Sequence, residues 1–328
     1  MEIIAFATRS DEKAGFDKFS KELNIKVKNI NERLTLETVH EARGFKFVSV
    51  LGNCDVNSEV LEKLNEFGVE YIASRSAGYN NIDIKKAKAL GIGISNANYS
   101  PKCVADFAVM LMLMCIRKVV WGLERARVND YSVIGLQGKE MHNLVVGVIG
   151  TGKIGQAVIK NLSGFGCKIL AYDIYENESI KKYVQYVDMD TLYKECDIIT
   201  IHSPLFDSNY NLINKESMRK MKDGVVIINT SRGELINTRD LIEALDKGKV
   251  GAVGLDVLEN EVGIFHSDCR FTGVNNKDII MLKQMKNVIL THHFAFYTDQ
   301  AVYDMVGCAL KSLRAFHDKI KNPYIINC

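Results

Sequence analysis

The sequence predicts an α/β protein of two domains, each a parallel sheet with helices against it. Three observations predict it. Apolar runs of strand length recur with helical stretches between them, and that alternation argues for parallel sheets flanked by helices. The centres of the runs are continuously apolar, as in strands covered on both faces. A chain of 328 residues also exceeds the roughly 250–300 residues at which single hydrophobic cores stop growing.

Taken in order, residues 3–6, 47–50, 71–73 and 92–95 read as one set of strands. Residues 145–149, 168–172, 198–202, 225–229, 252–256 and 288–291 read as a second. Pro101 suits the first turn of a helix, with Ser100 as its N-cap. Pro204 stops the strand that ends at His202. The run 107–116 is too short to span a bilayer and reads as a buried helix. Apolar residues at 302, 305, 306, 309, 310, 313 and 316 fall at helical spacing, so residues 300–319 form an amphipathic helix that closes the chain.

Composition narrows the function. The chain is 47% apolar and 25% charged, ordinary for a globular protein. Its formal net charge is +2, from 42 basic and 40 acidic residues. That balance gives no electrostatic reason to expect a nucleic acid or an anionic membrane as partner. The N-terminus lacks the basic start and apolar stretch of a signal peptide, so a cytoplasmic location is expected. Eight cysteines, including Cys328, show irregular spacing and no C-x-x-C pair. They read as reduced, mostly buried thiols, and no metal is expected.

The strongest motif is Gly150-Thr151-Gly152-Lys153-Ile154-Gly155. It follows a strand, opens a helix, and has an acid, Asp173, 18 residues beyond Gly155 at the end of the next strand. In that context G-x-G-x-x-G signals dinucleotide binding. The first Gly permits the tight turn, the second lets backbone approach a pyrophosphate, and the third lets helix pack on strand. The helix N-terminus then offers free N–H groups to the phosphates. Gly150, Gly152, Lys153, Ile154 and Gly155 are therefore candidate cofactor contacts. Asp173 would accept from the adenine-ribose hydroxyls. A 2′-phosphate would meet its carboxylate, and Ile174, Tyr175 and Glu176 supply no cation, so NAD is favoured over NADP. The competing readings are a Gly turn used for packing alone, or another adenosyl ligand.

Open α/β sheets bind ligands beyond the carboxyl ends of their strands. Arg232, Glu261 and His293 follow three strands of the second set on that edge. The three types suit hydride exchange with a 2-oxo acid. Arg232 offers a planar fork to the carboxylate and carbonyl oxygen. Protonated His293 donates to the oxygen that becomes an alkoxide. Glu261 orients the imidazole and favours its charged form. Singly, each has a plainer reading: a packing Arg, solvated glutamates at 259 and 261, a strand cap at His202. Joint placement favours chemistry.

At these residues the sequence resembles the D-2-hydroxyacid dehydrogenase family, over nearly the whole chain. The segments are S-R-S-A-G-Y-N-N-I-D at 74–83, Tyr99-Ser100-Pro101, G-T-G-K-I-G at 150–155, N-T-S-R-G at 229–233, D-V-L-E-N-E at 256–261 and H-H-F-A-F-Y-T at 292–298. Within the family the chain is most similar to the D-lactate, D-2-hydroxyisocaproate and vancomycin-resistance lactate dehydrogenase branch. The resemblance implies two Rossmann-like/flavodoxin-like domains with parallel sheets and an active site in the cleft between them. Residues 1–99 plus 299–328 would form the substrate-binding domain, and 100–298 the NAD-binding domain. Arg232, Glu261 and His293 match the family's catalytic residues. Backbone N–H groups of Ala77 and Gly78 would bind the substrate carboxylate. Tyr99 and Phe296 would line the substrate pocket, with Asn53 at its mouth. Asp256 would hold the nicotinamide carboxamide, and Thr230, His202 and Pro204 would lie along the cofactor. The helix 101–119 falls where relatives dimerise, so a homodimer is expected. In one departure, His292 stands where many relatives have Pro. The spacing from Arg232 and the following A-F-Y-T keep the assignment on His293.

The expected activity is NADH-dependent reduction of a 2-oxo acid to a D-2-hydroxy acid, with pyruvate first and 2-oxoisocaproate or phenylpyruvate as alternatives. An apolar pocket separates such substrates by only about 1–3 kcal/mol per methylene. The alternative of a different class is an NAD-sensing, corepressor-like binding protein. Such proteins dock by added surfaces and tails, for which the sequence shows no charged or disordered extension. A phosphoglycerate-type enzyme would need a further regulatory domain.

Overall fold

Strand β1 (Glu2–Ala5) buries Ile3, Ile4 and Ala5 completely, as a run apolar on both faces requires of a strand sandwiched between helices. The same logic runs through the computed structural model, which describes residues 1–327; Cys328 lies outside the described residues. The chain falls into two compact units, Met1–Ser100 with Tyr297–Cys328, and Pro101–Phe296.

The first unit holds a six-stranded sheet. Its members are β1, β2 (Lys26–Asn29), β3 (Phe47–Val50), β4 (Tyr71–Ser74), β5 (Gly93–Ser95) and β13 (Ile325–Asn327), in the order β13-β5-β4-β3-β1-β2. All neighbours are parallel except β13, which runs antiparallel to β5. The helices Lys13–Glu22 and Asp299–His317 cover one face, packing Phe16, Phe19, Val306, Leu310 and Leu313 on Ile3, Ala5, Phe47 and Ala73. The Ser58–Glu66 helix covers the other, with Val60, Leu61 and Leu64 against Ile4, Val48, Val50 and Ile72.

The second unit holds a seven-stranded, all-parallel sheet. It comprises β6 (Val145–Ile149), β7 (Lys168–Tyr172), β8 (Gln185–Tyr186), β9 (Ile198–Ile201), β10 (Val225–Asn229), β11 (Val250–Leu255) and β12 (Val288–Leu290). Their order is β12-β11-β10-β9-β6-β7-β8. The chain therefore leaves β6 in one direction for β7 and β8 and returns beside it as β9. This is a topological switch point, where open α/β sheets take ligands. The Lys102–Ile116 and Lys153–Ser163 helices cover one face through Leu111, Met112, Val158, Ile159 and Leu162. Leu192, Met218, Leu241 and Leu282 cover the other.

Several boundaries differ from the sequence reading. β2 is an edge strand, K-V-K-N, with little burial, so it lacks the apolar centre that marks its neighbours. β8 is two residues long, too short to carry a pattern. The stretch 101–119 is not one helix. It stops at Ile116, and Lys118 turns left-handed (φ 52°) before a second helix, Val119–Arg127. Pro101 itself occupies the N-cap position, while the Ser100 amide donates to Asp304 Oδ2 at 3.4 Å. The amphipathic helix runs from Asp299 to His317, with its apolar positions buried as expected. It does not close the chain, because β13 follows. Among the described residues no helix is long and apolar enough to cross a membrane.

Candidate active site

Asp256, at the carboxyl end of β11, is 1% exposed. Its Oδ1 accepts from the Thr291 hydroxyl (2.6 Å) and the Phe294 amide (3.1 Å), and its Oδ2 from the Ala295 amide (2.9 Å). Its carbonyl accepts from the His293 amide at 2.7 Å. A buried carboxylate needs such donors, and here all of them come from the loop after β12. That loop holds His293 with a left-handed backbone, φ 60°. Such a conformation costs a non-glycine residue roughly 1–2 kcal/mol and persists only where surrounding bonds over-determine it.

His293 Nδ1 bonds Glu261 Oε1. An ionised carboxylate only accepts, so Nδ1 carries the proton and Nε2 is the nitrogen left to exchange one. Glu261 Oε2 accepts from the Leu258 amide at 2.8 Å, which fixes the carboxylate in turn. The imidazole side chain is 33% exposed and the carboxylate 18%, so the ring is reachable while its partner is more covered. Glu259 serves elsewhere, accepting from the Thr238 amide at 2.7 Å. His292 is exposed and lies against Phe294 (4.6 Å between ring centroids), so the glutamate falls to His293.

Arg232 follows β10, the neighbour of β11, and β12 flanks β11 on its other side. The loops carrying Arg232, Glu261 and His293 thus leave three adjacent parallel strands at one edge. Gly233 allows the first two to touch: a Cβ there would stand 2.1 Å from the Leu258 carbonyl carbon. Arg232 spends Nη1 on the Ser231 carbonyl (2.7 Å). Its other N–H groups have no partner among the described residues, which leaves most of the fork for an anion.

The glycine loop sits at the switch point. Gly150 has φ 91°, and a Cβ on it would meet the His202–Ser203 backbone at 2.7 Å. Gly152 caps the Lys153–Ser163 helix with open space around it. A Cβ on Gly155 would stand 2.0 Å from the Gly150 oxygen. Lys153 is exposed and Ile154 half-buried at the helix start. Asp173 closes the loop, with Oδ2 accepting from the Thr151 amide (2.5 Å) and hydroxyl (3.0 Å), and Oδ1 from the Tyr175 amide (3.3 Å). Asp173 is therefore tied down by the loop it was read as serving, with acceptor capacity remaining on Oδ1. Thr151, held also by the Tyr186 hydroxyl at 2.9 Å, is a part that sequence reasoning missed.

Two buried polar atoms test whether a dinucleotide fits. His202, after β9, bonds Thr200 through Nε2 at 2.9 Å, and its Nδ1 is buried with no partner. Thr230, after the adjacent β10, has a buried Oγ1 with none either. Native chains rarely leave such groups unsatisfied, and these two lie along the strand ends beside the glycine loop. Burial pushes the His202 imidazole down to about 3, so it meets a ligand as a neutral ring. Pro204 is exposed, and its carbonyl accepts from Asn209 Nδ2 at 2.8 Å. Among the described residues no cluster of His, Cys, Asp and Glu could hold a metal ion.

The remaining candidates, except Phe296, lie in the first unit. Asn53 is exposed in the loop after β3. Ala77 and Gly78 follow β4, their carbonyls accepting from Asn96 Nδ2 (2.8 Å) and Ser76 Oγ (2.7 Å). Tyr99 is half-buried there, as is Phe296 in the second unit. Sequence reasoning missed what holds the loop after β4. Arg75 is fully buried and donates to Glu12 Oε1 (2.7 Å), Ser49 Oγ (2.9 Å) and the Phe6 carbonyl (2.8 Å). A cation at the end of an apolar strand was the available signal.

Comparison with known proteins agrees with this geometry. Residues 109–295 match the family model described as D-isomer specific 2-hydroxyacid dehydrogenase, NAD binding domain. An aromatic 2-oxoacid reductase of Clostridium sporogenes is 44% identical over 321 residues, 97% of each chain. A D-lactate dehydrogenase of Lactiplantibacillus plantarum is 40% identical over 319 residues, 96% of each. The apo-structure of D-lactate dehydrogenase from Escherichia coli aligns with a TM-score of 0.88 at 35% identity, covering 99% of this chain and 100% of that one. A glycine loop at the switch point and an imidazole–carboxylate pair along the same sheet edge accord with these matches, and the chain belongs to the D-isomer-specific 2-hydroxyacid dehydrogenases, NAD-dependent oxidoreductases acting on a CH–OH group.

Proposed function

We propose that His293 is the proton donor, Arg232 the anchor of the substrate and Glu261 the orienting partner in reduction of a 2-oxo acid to its D-2-hydroxy acid. The observation that carries this is the Nδ1 bond from His293 to Glu261, which leaves Nε2 of a partly exposed ring to exchange a proton. NADH, when bound, supplies the hydride. A protonated His293 would give its Nε2 proton to the carbonyl oxygen as that carbon is reduced, and would be left as a neutral imidazole with the proton on Nδ1. Arg232 offers unpartnered N–H groups to the substrate's carboxylate and carbonyl oxygen. The Ala77 and Gly78 amides, which have no acceptor among the described residues, supply further carboxylate contacts. In this reading Tyr99, Phe296 and Asn53 border the substrate. His202, Pro204, Thr230 and the loop 150–155 line the dinucleotide, and Asp256 has one acceptor position left for a carboxamide. The Pro101–Phe296 unit holds the cofactor and the other unit recognises the substrate.

For the side chain, we propose aromatic 2-oxo acids ahead of pyruvate, reversing the order expected from sequence. The support is the 44% identical aromatic 2-oxoacid reductase and a run of rings beside the imidazole, with His266 standing 5.8 Å from His293 and 6.3 Å from Phe296. The D-lactate dehydrogenase relatives favour pyruvate as the second reading. NADH oxidation with phenylpyruvate, 2-oxoisocaproate and pyruvate, with chiral analysis of the products, decides it. The highest kcat/KM should fall on phenylpyruvate with a D product; a preference for pyruvate reverses the order. His293→Ala should keep NADH binding and lose most turnover, and full activity in it would sink the assignment.

The same reading makes the chain a cytoplasmic homodimer. Cys54, Cys115 and Cys196 are buried thiols outside any disulfide, which suits a reducing compartment. Leu123, Val128, Tyr131, Val133 and Ile134 are all exposed, next to a helix that exposes Met110. An apolar run of this kind marks an interface, and a two-fold pair is the commonest way to cover one. Light scattering should give about twice the 36.8 kDa chain mass; a monomer overturns the dimer.

A further inference from the structure

The loop after β11 brings a second imidazole to His293. His266 Nε2 lies 2.8 Å from the His293 carbonyl oxygen. A carbonyl only accepts, so Nε2 carries the proton and His266 donates. The two rings are 5.8 Å apart, tilted by 47°, and the His266 ring meets Phe296 edge-on at 6.3 Å. Both histidines have left-handed backbones, φ 61° and 60°.

We infer that His266 is a positioning residue for proton transfer, acting through the main chain of His293. The inference rests on His293 being the proton donor. Three bonds then define that residue. Its amide goes to the Asp256 carbonyl, its Nδ1 to Glu261, and its carbonyl to His266. The last two grips share one turn: the Ile264 and Phe265 amides both donate to the Glu261 carbonyl at 3.0 Å. Ile264 and Phe265 pack on the core of the second unit, so the turn carrying His266 is anchored from beneath. A left-handed histidine gains by relaxing once its carbonyl is released. Rotation about that backbone swings the ring, and a displacement of about 1 Å at a reacting group is enough to slow chemistry by up to 10²-fold.

The test uses the full chain with phenylpyruvate and with pyruvate. Loss of turnover in His293→Ala carries the underlying site; retained turnover there overturns the site and this inference together. His266→Phe keeps a ring against Phe296 and removes the donor. His266→Gln keeps an N–H at similar reach. The expected result is a kcat about tenfold lower in the Phe variant, with unchanged NADH affinity, and recovery to within about threefold of wild type in the Gln variant. The ratio of rates with NADH and its 4-deuterated form should rise in the Phe variant as hydride and proton transfer become limiting. That ratio does not depend on the fraction of folded enzyme, so a merely structural role would not move it. Wild-type kcat and isotope ratio in His266→Phe, or equal loss in the Phe and Gln variants, overturns the inference.

Discussion

The pair His293–Glu261 shows how a residue acquires a role from its neighbours. An imidazole alone leaves either nitrogen free to hold the proton. The carboxylate assigns it to Nδ1, and the Leu258 amide assigns the carboxylate its place. Glu261→Gln preserves the shape and withdraws the charge. We expect kcat to fall about 10²-fold or more, with the Kd for NADH, followed by its fluorescence, unchanged. His202 makes the opposite case, a histidine kept neutral. Its value of about 3 lies below the ordinary 6.5, so between those limits the unfolded chain binds a proton that the folded chain refuses. Stability is therefore full above pH 6.5 and declines as the pH falls toward 3, by at most about 1.4 kcal/mol per pH unit. His202→Gln should flatten the dependence of the urea midpoint on pH between about 6 and 4; an unchanged slope would show that His202 is not the group responsible. The residue types at these positions were legible in the sequence. Their clamps were not, because Asp256 grips Thr291, Phe294 and Ala295 across more than thirty positions, and spacing carries no trace of such a bond.

At the level of elements, the proposed chemistry depends on three loops leaving adjacent strands. Gly233 is where two of them touch, with no room for a Cβ against Leu258. Gly233→Ala should push the Arg232 loop away from the Glu261 loop. The expected outcome is a destabilisation of about 1–3 kcal/mol, the usual range for overpacking. KM for the 2-oxo acid should rise more than KM for NADH; a variant with wild-type KM would mean that the loops tolerate separation. Elements were legible wherever burial imposed a pattern. Val146, Val148, Ile198, Ile199, Ile227 and Ile228 are fully buried, and each sits in a run visible as continuous apolar sequence. Lys26 and Lys28 of β2 lie at a sheet margin, where one side of the strand faces water and no such run is needed. The break at Lys118 is not legible because nothing in Ile116-Arg117-Lys118-Val119 forbids a helix; the partners there are distant, the Lys139 amide donating to the Ile116 carbonyl at 3.0 Å and Lys118 Nζ to the Gly135 carbonyl at 2.7 Å.

For the whole molecule, two sheets with separate cores and one nucleotide-type edge make ligand binding a stability event. A ligand that binds only the folded chain raises its melting temperature in proportion to the logarithm of its concentration over Kd. NADH should do so, and NADPH far less, because Asp173 is fixed at the end of β7 by Thr151 and Tyr175 and cannot swing away from a 2′-phosphate. Equal shifts from the two would contradict the specificity read from that carboxylate. The sequence spacing revealed the buried face of the Asp299–His317 helix but not its partner. The helix packs on the Lys13–Glu22 helix and on β3 and β4, where Tyr71 stacks on Phe316, and only the fold brings those distant faces together.

The antiparallel return of β13 along β5 has a consequence for handling the protein. A parallel sheet ends in an open row of backbone donors and acceptors, ready to recruit another chain. One margin of this sheet carries two lysines, which discourage docking, and β13 occupies the other. Removing the residues after Asn322 would strip that cover from β5, so a shortened chain should clump on storage while the intact one stays dispersed.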